Sequence, residues 1–425
     1  MKFFFPDSQD QIDPSFDFTS EERSLLRVRQ RDDRYIHEAL SDRVIDGFLV
    51  SKAIVDGVPG AAGKYTLAQR HRLYRSGVRE FFRLDAAPGA RLLTMGDCGA
   101  FSYREDEIPP YTPDEVIDFY EECGFDLGIS IDHIIFGYDP AADRDQCHPK
   151  AGEWRYRQDL TLDLAQRFFA RCRARTVRFE PMGVAQGWSP ASYASMVRRL
   201  QKIGYTRIAV GGMALAKTEE IVACLQGIST IRDPGTELHL LGITRPDNIR
   251  LFSSLGVTSF DSTSGFRQAF KDDRDNYHTA DRSYTAIRVP QVDGNSGLRK
   301  RVQAGRVDQQ DAAERERACL RALRGYDAGE VEISRVMDAL EAYEELIGKG
   351  KDYRDAYLET LDEAPWKKCP CGICGKAGID VIIFRGSERN KRRGFHNVYA
   401  FRQRLDRELG RRSAACPLAK SAYQG

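Results

Sequence analysis

The sequence predicts an α/β fold, a TIM-like (β/α)8 barrel with a zinc-binding subdomain and a helical insertion. From about residue 90, short apolar runs alternate with amphipathic stretches of helical length, which indicates parallel strands joined by crossover helices. Polar residues lie at the downstream ends of these runs, and in a barrel those ends converge on one rim. No G-x-G-x-x-G pattern follows the first run, which favours the closed barrel over an open dinucleotide-binding sheet.

Six apolar runs are the candidate strands of this barrel. They are Arg91–Asp97, Asp126–Asp132, Val177–Gln186, Arg207–Gly212, Glu237–Gly242 and Val257–Asp261. Between them, Thr112-Pro113-Asp114-Glu115 combines an N-cap, a proline at the first helical position and a capping-box glutamate. Ser189-Pro190 and Pro246-Asp247 mark the starts of two further helices.

Four segments divide the chain. Residues 1–40 are polar and show no clear period, so we expect an N-terminal extension there, followed by the barrel with its catalytic rim over residues 41–294. Residues 295–365 carry a dense charge mixture at helical spacing and predict the helical insertion. Residues 366–425 are expected to form the zinc-binding subdomain and the final barrel helix.

The helical period is clearest near the end of the predicted insertion. Val336, Leu340 and Tyr343 recur on one helical face, and Gly348-Lys349-Gly350 is expected to end the pattern.

The composition excludes several classes of protein. The 425 residues include 64 Lys and Arg against 63 Asp and Glu, so a uniformly basic nucleic-acid coat is excluded, although local basic patches are not. No apolar run approaches the roughly 18 residues that span a bilayer, and the N-terminal apolar run is too short for a signal peptide. Ten cysteines are too few for a disulfide scaffold. We therefore expect a cytoplasmic protein with a metal site and no membrane contact.

The strongest local signal is a metal-binding pattern. Cys369, Cys371 and Cys374 form a tight C-x-C-x-x-C loop, and His396 follows downstream. Three thiolates and one imidazole make a closed tetrahedral zinc site, which predicts a structural rather than a catalytic Zn²⁺. Reduced surface thiols and an iron–sulfur cluster are the weaker alternatives.

A second signal is a pair of aspartates at strand ends. Asp97 and Asp261 end two of the candidate strands, and two carboxylates on one rim can divide nucleophilic and acid–base work at a sugar anomeric carbon. The alternative is that each aspartate caps the helix that follows it. Cys98 has no evident histidine partner and is interpreted as a packing or pocket-lining residue.

Five short motifs stand in a defined order along the chain. They are Gly96–Ser102, Gln186-Gly187-Trp188, Gly211-Gly212-Met213-Ala214, Phe260-Asp261-Ser262 preceded by Gly242–Ile249, and the cysteine loop with His396-Asn397. Their counterparts in the tRNA-guanine transglycosylases are S-D-S-G-G-F-Q, Q-G-G, G-G-L-A, F-D-C and C-x-C-x-x-C with H-N. The chain resembles that superfamily, and most closely its DNA-modifying branch, the DpdA-type DNA-guanine transglycosylases.

The resemblance implies a base exchange, in which guanine is replaced by a 7-deazaguanine such as 7-cyano-7-deazaguanine (preQ0). It implies that Asp261 is the nucleophile at C1′ and that Asp97 is the general acid and base. The remaining substrate-binding positions that it implies are Asp132, Gln186, Gly211, Gly212, Cys98 and Phe101.

Three departures from the tRNA enzymes favour DNA as the substrate. Cys98 and Ala100 replace a serine and a glycine in the first motif. The segment around Arg267 lacks the P-T-R-x-x-R pattern with which the tRNA enzymes hold the anticodon loop, and the insertion lengthens the interval between Asp261 and the cysteines.

A DNA duplex must release the target guanine from the base stack, and basic side chains must hold its phosphates. The predicted phosphate contacts are Arg267, Arg389, Lys391, Arg392 and Arg393.

Alternatives to DNA base exchange are the same chemistry on tRNA, a non-catalytic zinc-containing accessory subunit that binds nucleic acid, and a barrel glycosidase. The presence of both aspartates argues against the non-catalytic version. The resemblance also implies a ParB-like ATPase partner, and it leaves open whether the protein is a monomer or a homodimer.

Overall fold

Eight parallel strands close into a barrel in the computed structural model of the protein, which describes residues 1–86, 91–145, 147–347 and 351–411. The strands are β1 Lys2–Pro6, β2 Gly47–Ser51, β3 Leu93–Asp97, β4 Leu127–Ile129, β5 Glu180–Ala185, β6 Arg207–Val210, β7 Glu237–Leu240 and β8 Val257–Asp261. Each strand pairs with its neighbours in chain order, and β1 pairs with β8, with Phe4 opposite Asp261. The predicted TIM-like barrel is confirmed.

The first two strands lie outside the six predicted runs, and β1 lies within residues 1–40, which we expected to form an extension. This expectation is wrong for Lys2–Pro6, because this short strand completes the barrel. An apolar run as short as Phe3–Phe5 has no period that distinguishes a strand from other buried segments. Its partner β8 is also remote in sequence, so only the closed barrel reveals the pairing.

The chain forms two compact units. The barrel unit comprises Met1–Gln9, Ile45–Thr263 and Glu408–Arg411, whereas the cysteine unit comprises Asp10–Val44 and Ser264–Arg407 among the described residues. The inside of the barrel is filled by apolar side chains from successive strands. This cluster contains Phe4, Leu49, Met95, Leu127, Ile129, Met182, Val184 and Ala209.

Helices follow most strands of the barrel unit. They span Lys52–Asp56, Leu67–Phe81, Pro113–Cys123, Ala151–Arg175, Pro190–Ile203, Thr218–Ser229 and Ile249–Ser254. The predicted N-caps are present, since Thr112 and Ser189 each accept a hydrogen bond from the backbone N–H three residues later. At Pro246 the chain first forms a 3-10 turn, Pro246–Asn248, before the helix begins.

The cysteine unit is mainly helical. Its helices span Ile36–Ala39, Ser264–Lys271, Ser296–Gln303, Gln309–Ala328, Ile333–Ile347, Arg354–Glu363, Pro365–Lys368, Gly372–Ala377 and Gly386–Glu408, the last of which ends at the barrel unit's Glu408. Two short strand pairs join Tyr277–His278 to Ser283–Tyr284 and Ile287–Arg288 to Ile383–Phe384. The helical character predicted for residues 295–365 is present in four of these helices, while Gly348-Lys349-Gly350 lies outside the described residues.

None of the helices in the described part of the chain has the length and apolar character that a membrane span requires.

Candidate active site and metal centre

Asp97 lies at the end of β3, where hydrogen bonds from neighbouring segments hold its carboxyl group. Ser51 Oγ donates to Asp97 Oδ2 at 2.8 Å, and the backbone N–H of Gly99 donates to the same oxygen at 2.9 Å. Burial raises the pKa of Asp97, and the negative charge of Asp261 raises it further, against these hydrogen bonds. Asp97 therefore retains its proton to a higher pH than an ordinary aspartate.

Asp261 lies at the end of β8 and is held through one of its two oxygens. The Gly242 N–H donates to Oδ1 at 2.9 Å, and His239 Nε2 lies 3.2 Å from the same atom. Since Ser259 Oγ lies 2.9 Å from His239 Nδ1, the hydroxyl can donate to that nitrogen and leave the imidazole hydrogen on Nε2 to donate to Asp261. Oδ2 has no hydrogen-bond partner among the described residues, so it is available to a ligand.

Asp132 and Gln186 form a buried polar pair beside Asp97. Gln186 Nε2 donates to Asp132 Oδ2 at 2.6 Å, and the Ile135 N–H donates to Gln186 Oε1 at 3.2 Å. Burial, with a smaller contribution from the charge of Asp97, raises the pKa of Asp132 to about 7. A second titratable carboxyl group thus lies at the same end of the barrel.

At Gly211 and Gly212 the backbone lies close to the side chain of Gln186. Gly212 has a φ of +79°, and a Cβ atom there would lie 2.6 Å from both Gln186 Oε1 and the Ile135 carbonyl oxygen. Any larger residue would displace Gln186. The two glycines therefore keep this side of the site open to polar backbone contact.

Cys98 and Phe101 follow β3 and differ in accessibility. Cys98 is fully buried, with its Sγ 3.7 Å from the Tyr120 hydroxyl, and burial raises the pKa of its thiol well above the usual value. It is consequently a protonated packing residue. Phe101 is exposed, packs edge-on against Phe136 at 5.9 Å between ring centroids, and has the Arg104 guanidinium over its ring, 4.4 Å from the centroid.

The second candidate site lies in the cysteine unit. Cys369, Cys371, Cys374 and His396 place one ligand atom each within 4.8 Å of one another. His396 Nδ1 lies 3.5, 3.5 and 3.2 Å from the three sulfur atoms in chain order. This donor set matches the three-thiolate, one-imidazole composition of closed tetrahedral metal sites, so the predicted ligands are brought together and could hold a metal ion.

The surroundings of His396 orient its ring for metal binding. Nε2 lies 2.6 Å from the His278 carbonyl oxygen, so Nε2 carries the hydrogen and Nδ1 presents its lone pair to the sulfur atoms. Tyr277 stacks on the imidazole with ring centroids 4.0 Å apart, and its hydroxyl lies 3.2 Å from Cys374 Sγ. These contacts preorganise the fourth ligand.

Comparison with known proteins gives a full-length match. The chain is 48% identical over 417 residues to a curated DNA-guanine transglycosylase from Salmonella montevideo, and the match covers 97% of this chain and 98% of that protein. No family model matches the chain. The chain belongs to the DNA-guanine transglycosylase family. The resemblance seen in the motifs is confirmed, and the chain is a glycosyl-transferring enzyme.

Two residues that hold the strand-end aspartates were not predicted from the sequence. Ser51 ends β2, a strand that was not predicted. His239 lies inside β7, which was predicted as a strand, but no role was predicted for this histidine. Ser51 ends an apolar strand as Asp97 does, but His239 lies within β7, which also contains the polar Glu237. Their role can be recognised only in the folded barrel, where Ser51 contacts Asp97 and His239 contacts Asp261.

His133 follows Asp132 but is fully engaged elsewhere. Its Nδ1 faces Arg157 at 3.1 Å and its Nε2 lies 2.7 Å from the Asp106 carbonyl oxygen, which describes a neutral, satisfied imidazole. Burial lowers its pKa. It is therefore a structural residue.

The phosphate contacts predicted for Arg389, Arg392 and Arg393 are not supported by the structure, because all three side chains are buried. Arg389 and Arg393 are 1% and 0% exposed, and Arg392 is buried as well. Arg389 Nε donates to Asp380 Oδ1 at 2.7 Å, Arg392 to Glu388 at 2.7 Å, and Arg393 to the Ala269 and Val381 carbonyl groups.

The two other predicted contacts differ from these buried arginines. Lys391 is partly exposed and donates to the Gln11 carbonyl group at 2.9 Å, whereas Arg267 is exposed. Arg389, Arg392 and Arg393 thus stabilise the cysteine unit. A charge count along the chain could not reveal that they are buried.

Proposed function

We propose that the protein exchanges guanine in DNA for a 7-deazaguanine base through a covalent link between Asp261 and C1′ of the sugar. The observation that carries this proposal is the arrangement of the barrel rim. Asp97 and Asp261 lie close enough for their charges to interact, and the Asp132–Gln186 pair adjoins Asp97. Family membership supports guanine exchange on DNA as the reaction.

Asp261 is the proposed nucleophile. Gly242 and His239 hold Oδ1, while Oδ2 has no protein partner among the described residues and can attack C1′. As the new C–O bond forms, the C1′–N9 bond to guanine breaks, and its electron pair leaves with the base. A second displacement by the incoming base at C1′ then releases Asp261, so the two steps together retain the configuration of the sugar.

Asp97 is the proposed general acid and base. Its raised pKa keeps a proton available for the departing guanine. The resulting carboxylate then accepts the N9 proton of the incoming base, which regenerates the acid for the next turnover. The nearby charge of Asp261 lets Asp97 serve first as the acid and then as the base. That charge raises the pKa of Asp97 before the reaction, and it is removed while Asp261 is covalently bound to the sugar.

Asp132, Gln186 and the backbone of Gly211 and Gly212 are the proposed base-binding residues. An ionised Asp132 can accept hydrogen bonds from the N1–H and amino groups of a guanine edge, and Gln186 and the glycine backbone can contact the oxygen side. Guanine and a 7-deazaguanine share this edge and differ at position 7. One site can therefore bind the departing and the incoming base in turn.

The four donors of the metal cluster are proposed to hold Zn²⁺, since three thiolates and an imidazole are a preferred zinc ligand set. Four protein ligands leave no open coordination position, so the ion would stabilise the cysteine unit. The reacting carboxylates belong to the barrel unit.

The decisive experiment is base exchange on duplex DNA and on tRNA in parallel, with labelled 7-cyano-7-deazaguanine and with labelled guanine. We expect incorporation into DNA and none into tRNA. Incorporation into tRNA alone would overturn the choice of DNA. The absence of incorporation into either would overturn the enzymatic proposal, provided that the protein used carries its metal and is folded. A parallel reaction with a ParB-like ATPase tests whether a partner is required.

A further inference from the structure

An exposed apolar loop in the cysteine unit has no role in the chemistry described above. Residues 23–33, here called the dileucine loop, carry Leu25, which is fully exposed, and Leu26, which is 88% exposed. Val28 beside them is about half exposed. Adjacent leucines that both project into solvent are unusual for a soluble fold, and exposed apolar groups of this kind mark surfaces that bind a partner.

The dileucine loop is held in shape by its own polar groups. The Val28 N–H donates to Asp32 Oδ2 at 2.7 Å, and the Gln30 N–H donates to Asp33 Oδ2 at 2.8 Å. Arg27 Nε donates to Asp33 Oδ1 at 2.7 Å and also pairs with Asp13 at 3.1 Å. The leucines are therefore presented by a closed, ion-paired loop and do not need to be ordered on binding.

The exposed face of the loop is cationic. Asp13 and Asp33 are buried beneath it, whereas Arg23, Arg29, Arg31 and Arg34 are exposed. Arg23 pairs with Asp13 and Glu388, and Arg31 pairs with Asp32. Among the residues that the structure describes, no carboxylate forms an ion pair with Arg29 or Arg34. The loop therefore presents leucines flanked by arginines.

We propose that the dileucine loop inserts its leucines between base pairs of duplex DNA, while the flanking arginines bind phosphates. This inference rests on the proposed action on DNA. Apolar side chains of this type act as wedges in proteins that unstack and kink a duplex, and a reaction at C1′ requires its base to leave the stack. Exposed arginines supply the phosphate contacts that such a wedge needs.

A protein partner fits the loop less well. Three exposed apolar side chains offer far less area than the roughly 800 Å² that each partner buries in a stable protein interface. A wedge needs to fill only the gap between two base pairs. The positive rim also complements a polyanion.

The experiment uses the full-length, metal-loaded protein and a fluorescently end-labelled duplex of 24 base pairs and mixed sequence. Energy transfer between the ends reports bending, and 2-aminopurine in the same duplex reports unstacking. The test variant is Leu25→Ala/Leu26→Ala. Leu67→Ala, which truncates an exposed leucine of the barrel unit, is the matched control, and Leu25→Met/Leu26→Met keeps the apolar bulk.

We expect the double alanine variant to lose bending and unstacking and to exchange bases in paired duplex at a rate lowered by about tenfold or more. The methionine variant and the Leu67→Ala control should behave as the wild type. On a duplex in which the guanines are mismatched, and therefore already weakly stacked, the alanine variant should approach the wild-type rate. Arg29→Ala/Arg34→Ala should lower the salt dependence of log affinity by a slope of roughly 1 to 2.

The outcomes separate the two proposals. If the wild type exchanges bases in DNA and the alanine variant matches it in bending, unstacking and rate, the wedge is wrong and the proposed function stands. If the alanine variant changes only the sedimentation of the protein, the loop binds another copy of the chain and the wedge is likewise wrong. If the wild type neither binds nor modifies DNA, the proposed function fails and the wedge fails with it.

Discussion

The barrel rim and the cysteine–histidine cluster both gather polar side chains from distant parts of the chain, but they satisfy those side chains differently. In the cluster, all four ligand atoms face one another across a space that one ion can fill. At the rim, Asp261 keeps one oxygen without a protein partner among the described residues, and two carboxyl groups have raised pKa values. The cluster therefore suits a role in stability, whereas the rim keeps polar groups available to a ligand.

The largest expected effect tests the rim. Asp261→Asn should lower the rate of base exchange on the order of 10⁴-fold or more, because it removes the covalent nucleophile. The melting temperature should hardly change, since the amide oxygen can still accept from Gly242. Exchange kinetics and the covalent DNA adduct on denaturing gels are the measurements.

The matched control for this variant is Asp233→Asn, at an exposed turn of the same unit, which should leave exchange unchanged. An undiminished adduct in Asp261→Asn would remove Asp261 from its proposed role.

The next effect tests the cluster. Cys371→Ser should abolish stoichiometric metal binding and lower the free energy of unfolding by roughly 3 kcal/mol or more, because metal binding to a closed site is coupled to folding. Metal analysis and thermal unfolding are the measurements. Cys147→Ser, at an exposed cysteine of the barrel unit, should keep the full metal content. A Cys371→Ser protein with unchanged zinc would contradict the site.

A third effect concerns base recognition. Because Asp132 has a pKa of about 7 in the folded protein, the ionised form that accepts from guanine increases as the pH rises through 7. Base affinity of the wild type should therefore rise from pH 6 to pH 8. Asp132→Asn should weaken binding about 100-fold at pH 8 and remove this pH dependence. Calorimetric titration with 7-cyano-7-deazaguanine measures both, and a variant that retains the pH dependence would show that another group causes it.

The carboxyl group of Asp132 should also lower the free energy of unfolding of the protein when it is ionised. Its pKa is higher in the folded state than in the unfolded state, so proton binding by Asp132 favours the folded state. This favourable contribution to the free energy of unfolding is lost as the pH rises from about 4 to about 7. Asp132→Asn should consequently stabilise the fold by about 2 kcal/mol at pH 8 and by much less at pH 5. Denaturant unfolding at the two pH values measures this difference. If Asp132→Asn changed the free energy of unfolding equally at both pH values, burial of the charge would not be the cause of the change.

The smallest effect tests how Asp261 is positioned. His239→Ala should slow adduct formation about tenfold, because the carboxylate loses one of its two hydrogen bonds and its orientation. His239→Gln, whose amide can still donate, should recover most of the rate. Single-turnover adduct formation is the readout, with base affinity unchanged in both variants. A loss of base affinity instead would assign His239 to substrate binding.

Much of the barrel and of the site followed from local patterns. Asp97 and Asp261 were predicted because each ends an apolar run, and Cys369, Cys371, Cys374 and His396 because their spacing suits one ion. Ser51 and His239 were not predicted, since a single polar residue in a strand has many possible partners until the strand order is known. Arg389 and Arg393 were misassigned because burial depends on what packs over them.

The alternation of strands and helices, the cysteine–histidine cluster and the two strand-end aspartates could be predicted from the sequence, because they depend on period and spacing over short distances. The fold was needed to show that Lys2–Pro6 is the first strand, that Ser51 and His239 hold the aspartates, and that the arginines near the cluster are buried. Each of these depends on contacts between residues far apart in the chain, and such contacts arise only when the barrel closes or the cysteine unit packs.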